Sequence, residues 1–97
     1  MPLNNRQLRF LRGRTHKLSP VVIVADKGLT ENVLAEIESA LEHHELIKVK
    51  LRADREQRAR WAEEILAGSG AEIIHSIGQV VSFYRRNPDK TVIVLPD

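Results

Sequence analysis

The sequence predicts an α/β (α+β) domain in two layers, running helix, strand, helix, strand, helix, strand, strand around a mixed four-stranded sheet. Three observations carry this. Val21 to Val24 is a short β-branched run held between Pro20 and a polar turn, the signature of a buried strand. Ile47 to Arg52 alternates apolar and basic residues with a period of two, the signature of a half-buried one. In three further stretches apolar residues recur at three- and four-residue spacing behind a capping residue, as helices require. Strands that alternate with helices call for right-handed crossovers, and two successive strands at the end call for a hairpin.

In the first helix, Asn4 or Asn5 supplies the cap and the period runs to about His16, with Leu8, Leu11 and Thr15 along one side. Arg9, Arg12 and His16 fall on the adjoining stripe at i, i+3 and i+7, so three potential cations share a direction from which a helix can track phosphates. Gly13 weakens the last turn. Leu18-Ser19-Pro20 then forces extended backbone and leads into the first strand.

After that strand, Ala25 to Leu29 forms a loop. Thr30 caps a second helix with Glu31 in its first turn and Val33, Leu34, Ile37, Ala40 and Leu41 on one face. The unbonded amides of such a first turn point toward the loop and carry partial positive charge, which suits a phosphate, and Lys27 adds a full charge. A plain strand-to-helix turn describes the same residues, with Gly28 supplying a left-handed backbone and Lys27 solvated. The stretch is not a nucleotide P-loop, which needs a second glycine and a Gly-Lys-Ser/Thr ending.

His43 and His44 are adjacent, so they point about 100° apart and cannot share a metal; interaction with the helix-end carbonyls suits them better. In the second strand Ile47, Val49 and Leu51 face the core, and Lys48, Lys50 and Arg52 face the other way. A cationic sheet face of this kind can contact nucleic acid, and an ordinary solvated face explains the pattern as well. Asp54 with Gln57 reads as a capping box for a third helix through about Ala67, closed by Gly68-Ser69-Gly70. Trp61, Ala62, Ile65 and Leu66 form its apolar side, with Arg58, Glu63 and Glu64 toward water. The sole tryptophan reads as packing rather than as a stacking platform for bases. Glu72 to Ser76 reads as a third strand, Gly78-Gln79 as a turn and Val80 to Arg86 as a fourth strand, broken by Asn87-Pro88-Asp89. Thr91 to Leu95 is a candidate for a short fifth.

At 97 residues the chain has room for one modest core. It has no cysteine, which excludes disulfides and thiolate metal sites, and no run of about 20 apolar residues or signal-like segment. The expectation is a cytoplasmic protein without a membrane partner. Charge is lopsided: five cations and no carboxylate precede Asp26, whereas ten cations meet thirteen carboxylates from there on. A basic end on a slightly acidic body is the footprint of a polyanion binder, or in the plainer reading a solubilising tail. Glu36, Glu38 and Glu42 share a helix as solvated charge, and His75 has no identifiable partner. With no nucleophile, metal set or nucleotide motif beside them, neither an enzyme, a cofactor nor a small-molecule substrate is expected.

Leu11-Arg12, His16, Leu18, Pro20-Val21-Val22, Gly28-Leu29-Thr30, Glu36-Ile37, Ala40 to Val49, Ile77-Gly78 and Tyr84-Arg85 together form a recognisable pattern. It resembles the bacterial YhbY-type, stand-alone form of the CRM domain, named for chloroplast RNA splicing and ribosome maturation, from about Asn5 to Arg86. The resemblance implies an RNA-binding domain associated with precursor rRNA of the large ribosomal subunit in a pre-ribosomal particle. It also implies a sheet similar to that of the C-terminal domain of bacterial translation initiation factor three. The family's Gly-x-x-Gly loop, analogous to the backbone clamp of KH domains, is here Ala25-Asp26-Lys27-Gly28. If its first position required a positive φ, alanine there would cost about 1 to 2 kcal/mol, and Asp26 brings an anion toward any phosphate. The residues expected at RNA are Arg9, Arg12, Arg14, His16, Lys17, Asp26, Lys27, Gly28, Lys48, Lys50 and Arg85, with none catalytic and none binding metal. The alternative is a protein-interaction module that docks on a ribosomal protein through the basic helix or a sheet edge.

Overall fold

The computed structural model describes residues 2–97. Its elements are α1 (Asn5–Thr15), β1 (Pro20–Val24), α2 (Glu31–His44), β2 (Leu46–Leu51), α3 (Arg55–Ser69), β3 (Glu72–Ile77) and β4 (Val80–Tyr84). Asn4 opens α1 with a full capping box: its side chain accepts the Gln7 amide at 2.8 Å, and the Gln7 side chain accepts the Asn4 amide at 3.1 Å. Thr30 and Asp54 cap α2 and α3 through the Val33 and Gln57 amides. The Asp54 box is half-formed, because Gln57 Oε1 accepts from Arg60 at 2.8 Å instead. α3 continues past Ala67 to Ser69 and stops where Gly70 takes φ 74°.

The sheet order is β1-β2-β4-β3. β1 runs parallel to β2 across α2, and β4 inserts antiparallel between β2 and β3. α2 and α3 form one layer, burying Ile37, Leu41, Trp61 and Ile65 against Val24, Ile47, Val49 and Phe83. On the opposite face α1 covers only one end of the sheet, where Leu11 packs with Leu46, Ile74, Tyr84 and Ile93. Leu46 and Ile47 are consecutive and both buried because the sheet is covered on both faces there. Farther along the strands the second face is bare. No helix of the described residues is long and apolar enough to cross a membrane.

Two expectations about the C-terminal third need correcting. β4 ends at Tyr84, so Arg85 and Arg86 lie outside it, and residues 91–95 form no fifth strand. The cause is Glu45. Its side chain is fully buried, and its carboxylate accepts the amides of Asn87 at 2.7 Å, Val92 at 2.9 Å and Ile93 at 2.6 Å. Two of the donors that a ladder through residues 91–95 would use, the amides of Val92 and Ile93, are thus taken by one side chain. Asn87 completes the anchor: its side-chain amide donates to Glu42 O at 3.0 Å, and its carbonyl oxygen accepts the amides of Asp89 and Lys90 at 3.1 Å.

Tyr84 Oη is the one fully buried side-chain polar atom without a partner among the described residues. Burial, and after it the Glu45 carboxylate, hold the phenol above its ordinary value of 10.0, with Arg86 pulling the other way. A raised phenol pKa contributes stability that is complete below the ordinary value and is lost as pH climbs through the raised one. Tyr84→Phe removes both the unpaired hydroxyl and this titration. We expect urea unfolding at neutral pH to show it as stable as the parent or more so, by up to about 1 to 3 kcal/mol. The parent's decline in stability above about pH 10 should be shallower in the variant, and an identical decline would place its source elsewhere.

Candidate nucleic-acid interface

Strand pairing determines what the bare sheet face displays, because residues directly opposite share a face. One row across the sheet is Pro20, Lys48, Ser82 and His75, and the next is Ile23, Lys50, Val80 and Ile77. Each row has a lysine near its centre. Ile23 and Ile77, at 54% and 63% exposed, are open apolar ground on either side of Lys50. The C-terminal end of α1 borders the first row: Thr15 and His16 join Lys48, His75 and Ser82 in a cleft of about 230 Å³. On the β1 side, Lys17 joins Lys48 and His44 in a second cleft of about 280 Å³. Lys48 therefore links the basic helix to the sheet.

The rows lead to the loop between β1 and α2. Val24 pairs with Leu51, so the chain leaves the sheet beside Arg52, whose amide donates to Val24 O at 2.8 Å. Ala25 to Gly28 then closes as a turn, the Gly28 amide donating to Ala25 O at 2.8 Å. Gly28 has φ 69°, whereas Ala25 is not among the positive-φ residues. The strain considered for an alanine at the first loop position is therefore absent, and only the last position needs glycine. Asp26 and Lys27 are exposed at the tip. Two residues on, Thr30 starts α2, where the amides of Glu31 and Asn32 have no acceptor among the described residues, as at any helix start.

The other expected residues divide. Arg9 and Arg12 are exposed on α1, and Arg12 is steadied by donation from its Nε to Ile74 O at 3.1 Å, leaving its terminal nitrogens free to reach out. Arg14 lies off their stripe and stacks over Phe10, 5.5 Å from the ring centroid. Arg85 is drawn to the other side of the molecule, where it pairs with Glu38 and Glu42 and donates to Ser69 O at 3.0 Å. Its charge is already balanced, so it is set apart from the basic tract. Lys17, Lys27, Lys48 and Lys50 form no ion pair among the described residues. His43 Nδ1 donates to Ser39 O at 2.8 Å near the end of α2, as its position suggested. What sequence reasoning missed is the company of His75. Its alternation with Ile77 was visible, but its place opposite Ser82 depends on a bulge between Ile73 and His75.

Such a surface can hold a polyanion by several unpaired charges at once, with apolar patches between them and few means of reading sequence. Residues 3–85 match the CRS1 / YhbY (CRM) domain family. A probable RNA-binding protein of Pseudomonas aeruginosa is 47% identical over 89 residues, covering 91% of this chain and 86% of its own. An RNA-binding protein of Haemophilus influenzae is 44% identical over 91 residues, covering 93% and 92%. A hypothetical Staphylococcus aureus protein, solved in solution and described as a candidate RNA-binding protein, superimposes with a TM-score of 0.81 at 29% identity. That match covers 98% of this chain and all of the other.

Proposed function

Because the chain belongs to the CRS1 / YhbY (CRM) domain family, whose members are RNA-binding domains and not enzymes, we propose that it binds RNA along the tract from α1 across the sheet to the Gly28 loop. The RNA in this reading is precursor rRNA of the large ribosomal subunit, bound in a cytoplasmic pre-ribosomal particle. The observation that carries the RNA reading is the row of unpaired cations: Lys17 and Lys48 share a cleft, Lys50 follows two residues along β2, and Lys27 stands at the loop. These charges neutralise phosphates, and the apolar rows beside Lys50 accept the faces of unstacked bases. Crosslinking in cells followed by sequencing of attached RNA tests the partner. Recovery of mature, cytoplasmic messenger RNA in place of large-subunit precursor would refute the assembly role.

Replacing Lys17, Lys48 and Lys50 by glutamine should weaken binding to unrelated RNAs alike. It should also flatten the salt dependence by about 2 to 3 log units per log unit of salt, at roughly 0.7 to 0.9 per phosphate. Fluorescence titration across a salt series measures this, and an unaltered slope would place the phosphates elsewhere. A second reading is favoured by the exposed Val21 and Ile23 on β1, which is an edge strand. Such an edge suits docking on a ribosomal protein. Nuclease treatment separates the two, since protein docking survives digestion of the RNA.

A further inference from the structure

The Gly28 turn rests on Trp61. The indole is buried at 8% exposure, and the atom nearest to where a β-carbon on residue 28 would stand is its Nε1, at 3.6 Å. This nitrogen carries an N–H donor and has no acceptor among the described residues. Since Tyr84 Oη is the only fully enclosed unpaired side-chain polar atom there, the indole nitrogen keeps an opening to solvent. Because residue 28 is glycine, no side chain covers this polar edge, and the N–H is open to a ligand as well as to water. Gly28 lies two residues before the cap of α2, whose first amides are also unbonded and carry the positive end of the helix dipole.

We propose that the Trp61 indole N–H is an RNA contact, donating to a phosphodiester oxygen seated at the Gly28 turn together with the α2 amides. The proposal rests on the RNA-binding reading and adds to it a donor from α3. It also gives Gly28 a second task besides its positive φ: any side chain at that position would lie on the indole and screen the donor. Lys27 sets the charge of this subsite against Asp26 and Glu31, and the neutral indole N–H adds direction without adding charge.

The chain contains a single tryptophan, so its indole can be watched and altered without ambiguity. One measurement uses the unaltered protein labelled with nitrogen-15, titrated with oligouridylate at low salt. The lone indole N–H resonance should move downfield and its exchange with water should slow. The other replaces Trp61 by 3-benzothienylalanine, in which sulfur takes the place of N–H while the ring shape stays. That protein should melt as the parent does and bind oligouridylate about ten-fold more weakly, the loss expected for one hydrogen bond to a charged acceptor. Binding with an unmoved indole resonance and undiminished affinity of the sulfur analogue would overturn the contact while leaving the RNA reading intact. Failure of the unaltered protein to bind would overturn both.

Discussion

Glu45→Ala should cost the domain about 3 to 5 kcal/mol or more, a large share of the total stability of a chain this small. The substitution leaves the amides of Asn87, Val92 and Ile93 buried or half-buried without an acceptor, each at about 1 to 3 kcal/mol. Glu45→Gln is informative because the two carboxylate oxygens have separate duties. Oε2 accepts Asn87, and Oε1 accepts both Val92 and Ile93. An amide can serve only one side and must turn its NH2 on the other, so an intermediate loss is expected. Backbone conformation acts in the opposite direction. Glu45 is the only non-glycine of positive φ among the described residues, at φ 64° and ψ −46°, where a side chain is strained by about 1 to 2 kcal/mol. Glu45→Gly loses the carboxylate but relieves that strain, so it should be less damaging than alanine. The expected order in urea unfolding is parent, Gln, Gly, Ala, with faster amide exchange at Val92 and Ile93 in all three variants. An alanine variant within about 1 kcal/mol of the parent would mean that the C-terminal segment is held by Ile93 packing alone.

That anchor marks where sequence reasoning stopped. Order and type of all seven elements follow from periods and caps, because each is decided locally: β-branched Val21 to Val24, the alternation from Ile47, the apolar face of Trp61, Ala62 and Ile65. Glu45 offers no such local signal. A charged residue between a helix and a strand reads as surface, and its partners lie more than forty positions away. The break in alternation at Leu46-Ile47 was the available hint that this end of the sheet is covered twice. The interface shows the same division. Alternation alone places Lys48 and Lys50 on one face, but their junction with His16 and Lys17 depends on how α1 is docked. The pairing of Arg85 was hidden for the converse reason: Glu38 and Glu42, one turn apart on α2, read as solvated charge until the fold brings the arginine to them.

Gly28→Asp should lower RNA affinity about ten- to a hundred-fold at low salt, well beyond the loss in Gly28→Asn. Both variants place a side chain at φ 69°, which asparagine and aspartate tolerate better than most residues. Both also put their β-carbon in ordinary van der Waals contact with Trp61, 3.6 Å from Nε1, so neither is forced to unfold. They share shape, strain and cover over the indole, and differ by one negative charge. The difference in affinity therefore isolates electrostatics at the turn. A carboxylate about 4 Å from a phosphate oxygen repels it by about 1 kcal/mol in water and about 4 kcal/mol at the dielectric of a protein surface, which brackets the expected factor. Salt provides the internal check, since the Debye length shrinks from about 30 Å at 0.01 M to about 10 Å at 0.1 M. The gap between the two variants should narrow over that range, whereas a gap caused by shape would persist. The asparagine variant should itself bind several-fold below the parent, because it screens the indole and fills the space a phosphate needs. Equal affinities for Gly28→Asp and Gly28→Asn at low salt would remove the turn from the RNA path. The contact would then lie on the cations of α1 and β2 alone.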